Sequence, residues 1–245
     1  MTHDWAGIVE REGTVLAAAA AADLTASVPA APGWDAAELL RHLGLIYARV
    51  GVVLRTGTME RPSIENGMLT PAPADRAVVV DWFGACLADV VAAMRGIDDP
   101  DRPVYSFAPG HRRAGFWPRR QAHETTVHRV DAEQAAVRPR GAIDPTLAVD
   151  GVDEILDVFL PFSAAQSPAD GRTVHLHATD ADGEWLVRFD AGAVAVERGH
   201  AKGDAAVRGP AAALYLWLWG RLPIEQLELF GDPEAAATLR TLAAR

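Results

Sequence analysis

The hydrophobic pattern of this chain changes period once. From Leu39 to Met94 the apolar residues recur every three or four positions, and past Phe162 the pattern shifts to alternation with polar ones. A side-chain period near 3.6 belongs to helices and a period of two belongs to strands. The change falls past Pro139 and Gly141, residues that interrupt either element. A chain of 245 residues with that pattern is expected to fold as α+β: residues 1–140 form a four-helix bundle, and residues 141–245 form a small α+β domain with an antiparallel sheet.

The four bundle helices can be placed individually. Residues from Asp4 to about Ser27 are rich in Ala, Leu and Glu, and Pro29 and Pro32 close that segment. Asp35 and Glu38 have the spacing of a capping box, followed by Leu39, Leu40, Leu43, Ile46, Tyr47, Val50 and Leu54 at helical spacing. Ala77 to Met94 gives a third helix, which carries Cys86. Trp117 to Gln134 gives a fourth, with Pro118 in the first turn, where a missing N–H costs nothing. In the second half, Pro145 to Phe162 reads as helix. Thr173–Thr179 and Glu184–Phe189 flank the hairpin signature Asp180-Ala181-Asp182-Gly183. Ala193–Glu197 and Ala205–Arg208 follow as strands, and Pro210–Trp219 and Pro233–Ala244 as helices. The apolar run Tyr215–Trp219 is expected to pack the core of this domain.

Charge and composition exclude several functions. A formal net charge of -10, with no cluster of Lys and Arg, makes nucleic acid an unsuitable partner. A single cysteine, Cys86, rules out an internal disulfide framework and a cysteine-rich zinc site, and fits a reducing cytoplasm. The N-terminal residues lack the basic and apolar blocks of a secretory signal, and no apolar run is expected to reach the length of a bilayer span, so a cytoplasmic protein without a membrane partner is expected.

The fourth helix is the most chemically loaded segment. At about 100° per residue, Glu124 and His128 lie about 40° apart on its surface and Asp131 falls between them one turn on. A stripe of this kind is commonly just a solvated face. His42, however, sits among the apolar residues that define the inward side of its own helix. A histidine from one bundle helix and a Glu/His pair from another are able to converge on one ion. Asp131 either orients His128 or pairs with a surface arginine. His123-Glu124 brings to mind the zincin signature, but His128 stands five positions after His123, about 140° round the helix, so that reading fails. His123 is expected at the surface or in a supporting role. His175 and His177 share one face of a strand, where a half-buried sheet role competes with a metal pair.

These segments together resemble a known family. Gly33-Trp34-Asp35 leading into Glu38-Leu39-Leu40-Arg41-His42-Leu43, Ala122-His123-Glu124 with Thr125-Thr126-Val127-His128-Arg129-Val130-Asp131-Ala132-Glu133, and the strand His175-Leu176-His177-Ala178-Thr179-Asp180 are similar to the mycothiol-dependent maleylpyruvate isomerases. The resemblance spans nearly the whole chain. It implies a DinB-like bundle followed by a domain akin to sterol-carrier folds. It also implies a divalent metal, normally zinc, held by His42, Glu124 and His128, with an open position for the thiol mycothiol. Metal coordination deprotonates a thiol, and the implied reaction is thiolate addition to an electron-poor cis double bond, rotation, and elimination to the trans product. The expected substrate is a small molecule, a dicarboxylate such as maleylpyruvate. Arg221, in Trp219-Gly220-Arg221, is similar to an arginine that the family's C-terminal domain contributes to catalysis; a solvent-facing charge is the competing reading.

Two alternatives stay open. One keeps metal and thiol but makes the chain a mycothiol S-transferase of detoxification or biosynthesis. The other is a non-enzymatic protein that binds a small molecule or lipid in its C-terminal domain. A monomer and a homodimer are both compatible with the sequence.

Overall fold

The structure, a computed structural model, describes residues 3–168 and 170–243. The chain separates into two compact units, one ending at Gly141 and the other beginning at Ala142.

The first unit is built from α1 (Trp5–Ala20), α2 (Ala36–Thr56), α3 (Val79–Arg95) and α4 (Phe116–Ala135). Asp35 caps α2 as its spacing requires: its side chain accepts from the N–H of Glu38 at 2.8 Å, and the Glu38 carboxylate accepts from the N–H of Asp35 at 3.0 Å. Each bond satisfies a backbone N–H that the helix cannot, and together they fix where α2 starts. At the other end Gly57 takes a left-handed φ of 68° and returns its N–H to Val53 O. The first helix stops earlier than expected, at Ala20 rather than near Ser27. Beyond it the Asp23 carboxylate accepts from both the N–H and the hydroxyl of Thr25, at 2.9 and 2.7 Å, a local turn that outcompetes helix continuation.

The third helix corrects another expectation. With its leading turn, Arg76–Arg95 is long and apolar enough, by length and composition, to cross a membrane. Its apolar side, Val79, Phe83, Leu87, Val90, Val91 and Met94, is buried, and α3 packs against α1 and α2. Phe83 meets Tyr47 of α2 with ring centroids 5.6 Å apart. Cys86 is half-buried on this helix.

The second unit opens with α5 (Pro145–Glu154), whose N-terminus Asp144 caps by accepting from Thr146 and Leu147. The helix then widens into a π turn over Ile155–Phe159, and α6 (Leu160–Ser163) completes the segment expected as one helix. Pro161 explains the break: it has no N–H to return and sits where a continuous α-helix would need one. The sheet comprises β1 (Thr173–Ala178), β2 (Glu184–Asp190), β3 (Ala193–Arg198), β4 (Ala205–Gly209) and β5 (Glu228–Gly231), in the order β3-β2-β1-β4-β5. The fifth strand was not expected. Nor was the pairing of β1 with β4, which is parallel within an otherwise antiparallel sheet. Val174, Leu176, Trp185, Val187, Phe189, Ala205 and Val207 all lie on the buried face. Helices α7 (Ala211–Leu218) and α8 (Pro233–Ala243) pack on β1 and β4, and Tyr215–Trp219 are buried as anticipated. Ala244, read from the sequence as the end of the last helix, lies outside the described residues.

Candidate metal centre

The fourth helix combines a polar sequence with a buried position. Arg120, Gln121, His123, Thr125, Thr126, Arg129, Asp131 and Glu133 are all buried, which for such residues is costly unless each is paired. Most of the pairing is local. Thr125 and Thr126 donate their hydroxyls to the carbonyls of Gln121 and Ala122, at 2.7 and 2.8 Å. Arg129 donates to Glu12 of α1 and to Glu133 one turn on, both at 2.7 Å, and to the carbonyl of Gly141 at 3.0 Å. The Thr125 hydroxyl, whose proton goes to Gln121, also receives the phenol of Tyr47 at 2.7 Å. Burial, with the nearby Glu124 charge, pushes the Tyr47 pKa up despite the hydrogen bond to Thr125, so the phenol remains a donor. This bond ties α2 to α4 one residue away from Glu124.

Glu124, His128 and His42 meet at the same level of the two helices. His128 Nε2 is 3.3 Å and His42 Nε2 3.7 Å from the same oxygen, Oε1 of Glu124. The two rings cross edge to face at 5.3 Å. Bonds of about 2.0–2.1 Å in a tetrahedral zinc site place neighbouring donors about 3.3 Å apart; the His128–Glu124 pair stands at that separation and the His42–Glu124 pair slightly beyond it. The three side chains are neither deeply buried nor fully open.

The surroundings fit a metal. His128 presents Nδ1 to Asp131 Oδ2 at 2.9 Å, which leaves Nε2 as its donor atom for an ion. Arg120 takes the other oxygen of Glu124, so Oε1 alone faces the histidines. Burial acts to raise the Glu124 pKa, but the Arg120 charge and the hydrogen bonds of His128 and His42 outweigh it and hold the carboxyl well below its usual range. Burial acts to lower that of His128, and Asp131 and Glu124 overcome it, pushing the imidazole up to about 9, so that an ion would take the place of the proton that Nε2 shares with Glu124. Trp34, just ahead of α2, packs its ring 4.8 Å from that of His42.

The trio named from the sequence is thus brought together, and Asp131 takes the orienting position rather than a surface pairing. For His123 the surface reading is corrected. This residue is fully buried, with its ring 5.8 Å from that of Trp5 on α1, because it points to the side of α4 that packs on α1. Arg120 was missed, although its i, i+4 spacing from Glu124 was the available signal. Arg221 lies in the second unit after α7, where its Nη1 donates to the carbonyl of Trp219 at 2.7 Å.

Comparison with known proteins adds the family. No curated protein matches this sequence significantly. Among solved structures, the fold matches a crystal structure of the mycothiol-dependent maleylpyruvate isomerase with a TM-score of 0.62 at 16% identity, covering 92% of this chain and 91% of the other. A histidine-to-alanine mutant of the mycothiol-dependent maleylpyruvate isomerase matches with a TM-score of 0.61 at 14% identity and the same coverage. These similarities concern the fold. The family models are more specific: the mycothiol maleylpyruvate isomerase N-terminal domain matches residues 5–133, and the C-terminal domain of the same family matches residues 146–238. The chain belongs to the mycothiol maleylpyruvate isomerase family.

Proposed function

We propose that the chain is a metal-dependent, mycothiol-dependent isomerase acting on a small molecule of the maleylpyruvate type, with His42, Glu124 and His128 as the metal ligands. The observation that carries this reading is the convergence of two imidazole nitrogens on one carboxylate oxygen, with Asp131 behind one imidazole and Arg120 behind the carboxylate. Zinc with mycothiol in its open coordination position would supply a thiolate at neutral pH, able to add to an electron-poor cis double bond and leave it again after rotation.

The chain's own groups prepare that chemistry. Asp131 keeps a proton on Nδ1 of His128 and so reserves Nε2 for the ion. Arg120 neutralises the oxygen of Glu124 that faces away. Trp34 packs its ring beside that of His42. The chain has no thiolate of its own to use. Its one cysteine, Cys86, has its thiol pushed up to about 11 by burial and by the Asp89 charge, and is protonated at neutral pH. A thiolate nucleophile would therefore have to be brought in, as mycothiol would be in this reading. Arg221 enters this reading through the resemblance alone, as the cation for a substrate carboxylate.

The test is to incubate the purified full-length protein with maleylpyruvate in the presence and absence of mycothiol. The reading expects cis–trans isomerisation that depends on the thiol and regenerates it. Stoichiometric consumption of mycothiol into an adduct would instead identify an S-transferase.

A further inference from the structure

A second cluster of donors lies in the other unit, on the opposite face of the sheet from its core. On β1, His175 and His177 project from that outer face, two residues apart. Glu184 on β2 stands directly across from His177 in the antiparallel register. His200 follows β3, and it is positioned by backbone: Gly199 donates its N–H to Glu184 O at 3.0 Å. Gly199 has a φ of 133°, a left-handed conformation that side chains resist, and this turn brings His200 over the sheet.

All three imidazoles face one carboxylate. His175 Nε2 and His200 Nδ1 lie 3.1 and 2.8 Å from Oε2 of Glu184, and His177 Nδ1 lies 3.1 Å from Oε1. The donor atoms lie within 4.8 Å of one another. The ring of His175 crosses that of His200 at 5.3 Å and that of His177 at 5.9 Å. Arg208, the neighbour of His177 on β4, is engaged by Glu228 at 2.9 Å, so its charge is already committed there. Burial acts to raise the pKa of Glu184, but the hydrogen bonds of His200 and His175 and the charge of His177 outweigh it and lower it from the usual carboxylate value. Three imidazoles thus gather around one carboxylate.

We propose that His175, His177, Glu184 and His200 form a second site for a divalent transition metal, separate from the centre in the helical unit. Imidazole-rich donors with one carboxylate suit zinc, nickel, cobalt or copper rather than calcium or magnesium. Four protein donors fill a tetrahedral shell, the arrangement of a structural ion rather than a catalytic one. His200 is the one exposed ligand, with 79% of its side chain accessible, and it comes from the connection between β3 and β4. The ion therefore clasps that connection onto the strands β1 and β2.

The test uses the full-length protein, stripped with a chelator and titrated with zinc, followed by elemental analysis after dialysis. The double variant His177→Ala/His200→Ala is expected to bind one zinc fewer per chain than the wild type while keeping its circular dichroism. Equal zinc content in the two proteins overturns the proposal and leaves a hydrogen-bonded histidine cluster. Hydrogen exchange on the wild type alone serves if the variant misfolds. Zinc is expected to slow exchange in residues 173–186 and 199–205, and unchanged exchange there at saturating zinc would count equally against the site.

Discussion

Asp131 is fully buried on α4 and accepts the Nδ1–H of His128 at 2.9 Å, so that the opposite nitrogen of the same ring points at Glu124. A buried carboxylate one helical turn behind a histidine has few uses in a bundle core. Here it sets the tautomer and aim of the imidazole, which is what a metal-binding histidine requires.

Replacing Asp131 by Asn removes the charge but keeps the shape. Zinc affinity at the helical centre is expected to fall by about 10–100-fold, with unchanged helical content. Competition against a chromophoric chelator measures it, and an unaltered affinity would show that Asp131 is only a packing residue.

Arg129 predicts a stability effect instead. It is 2% exposed and carries an ion pair to Glu12 that joins α1 to α4 and a second, within α4, to Glu133. Its substitution by Ala leaves Glu133 buried without that partner, and a loss of about 3–5 kcal/mol is expected because breaking a buried network costs far more than deleting a surface pair. The shift of the urea midpoint measures this. A loss below about 1 kcal/mol, typical of an exposed pair, would contradict the account.

Cys86 predicts a pH profile. A thiol raised to about 11 is protonated below that pH, and thiolate, the reactive form, grows as pH rises toward it. Alkylation by iodoacetamide at pH 8 is therefore expected to be at least about 100-fold slower than for a free thiol, rising about tenfold per pH unit up to about pH 11. Rapid labelling at neutral pH would contradict the assignment of Cys86 as inert.

Much of this fold was legible because the periodicities are strong. The capping pair Asp35 and Glu38 located the start of α2, and Asp180–Gly183 located the β1–β2 hairpin. The exceptions have local causes. Strand β5 is four residues long and largely exposed, so it carries no alternating signal, and its place depends on pairing with β4. The parallel pairing of β1 with β4 is a property of the chain's path, which side-chain alternation does not encode. At the candidate site, helical geometry was enough to align Glu124, His128 and Asp131. That His42 joins them depends on the register of α2 against α4, which the Tyr47–Thr125 hydrogen bond holds and a single sequence does not display. The surface alternative for His123 fails for the opposite reason: polar residues are spread around α4, so composition offers no clue to which side is buried.

The central claim is that His42, Glu124 and His128 hold one metal ion. It is tested most directly by the metal content of the purified protein and of His42→Ala and Glu124→Gln variants, measured by elemental analysis under identical dialysis. Because the second candidate site contributes to any total, the readout is the difference between proteins. Each variant is expected to lose one zinc or similar ion per chain relative to the wild type while remaining folded. Retention of the full wild-type metal content by both variants would contradict the claim.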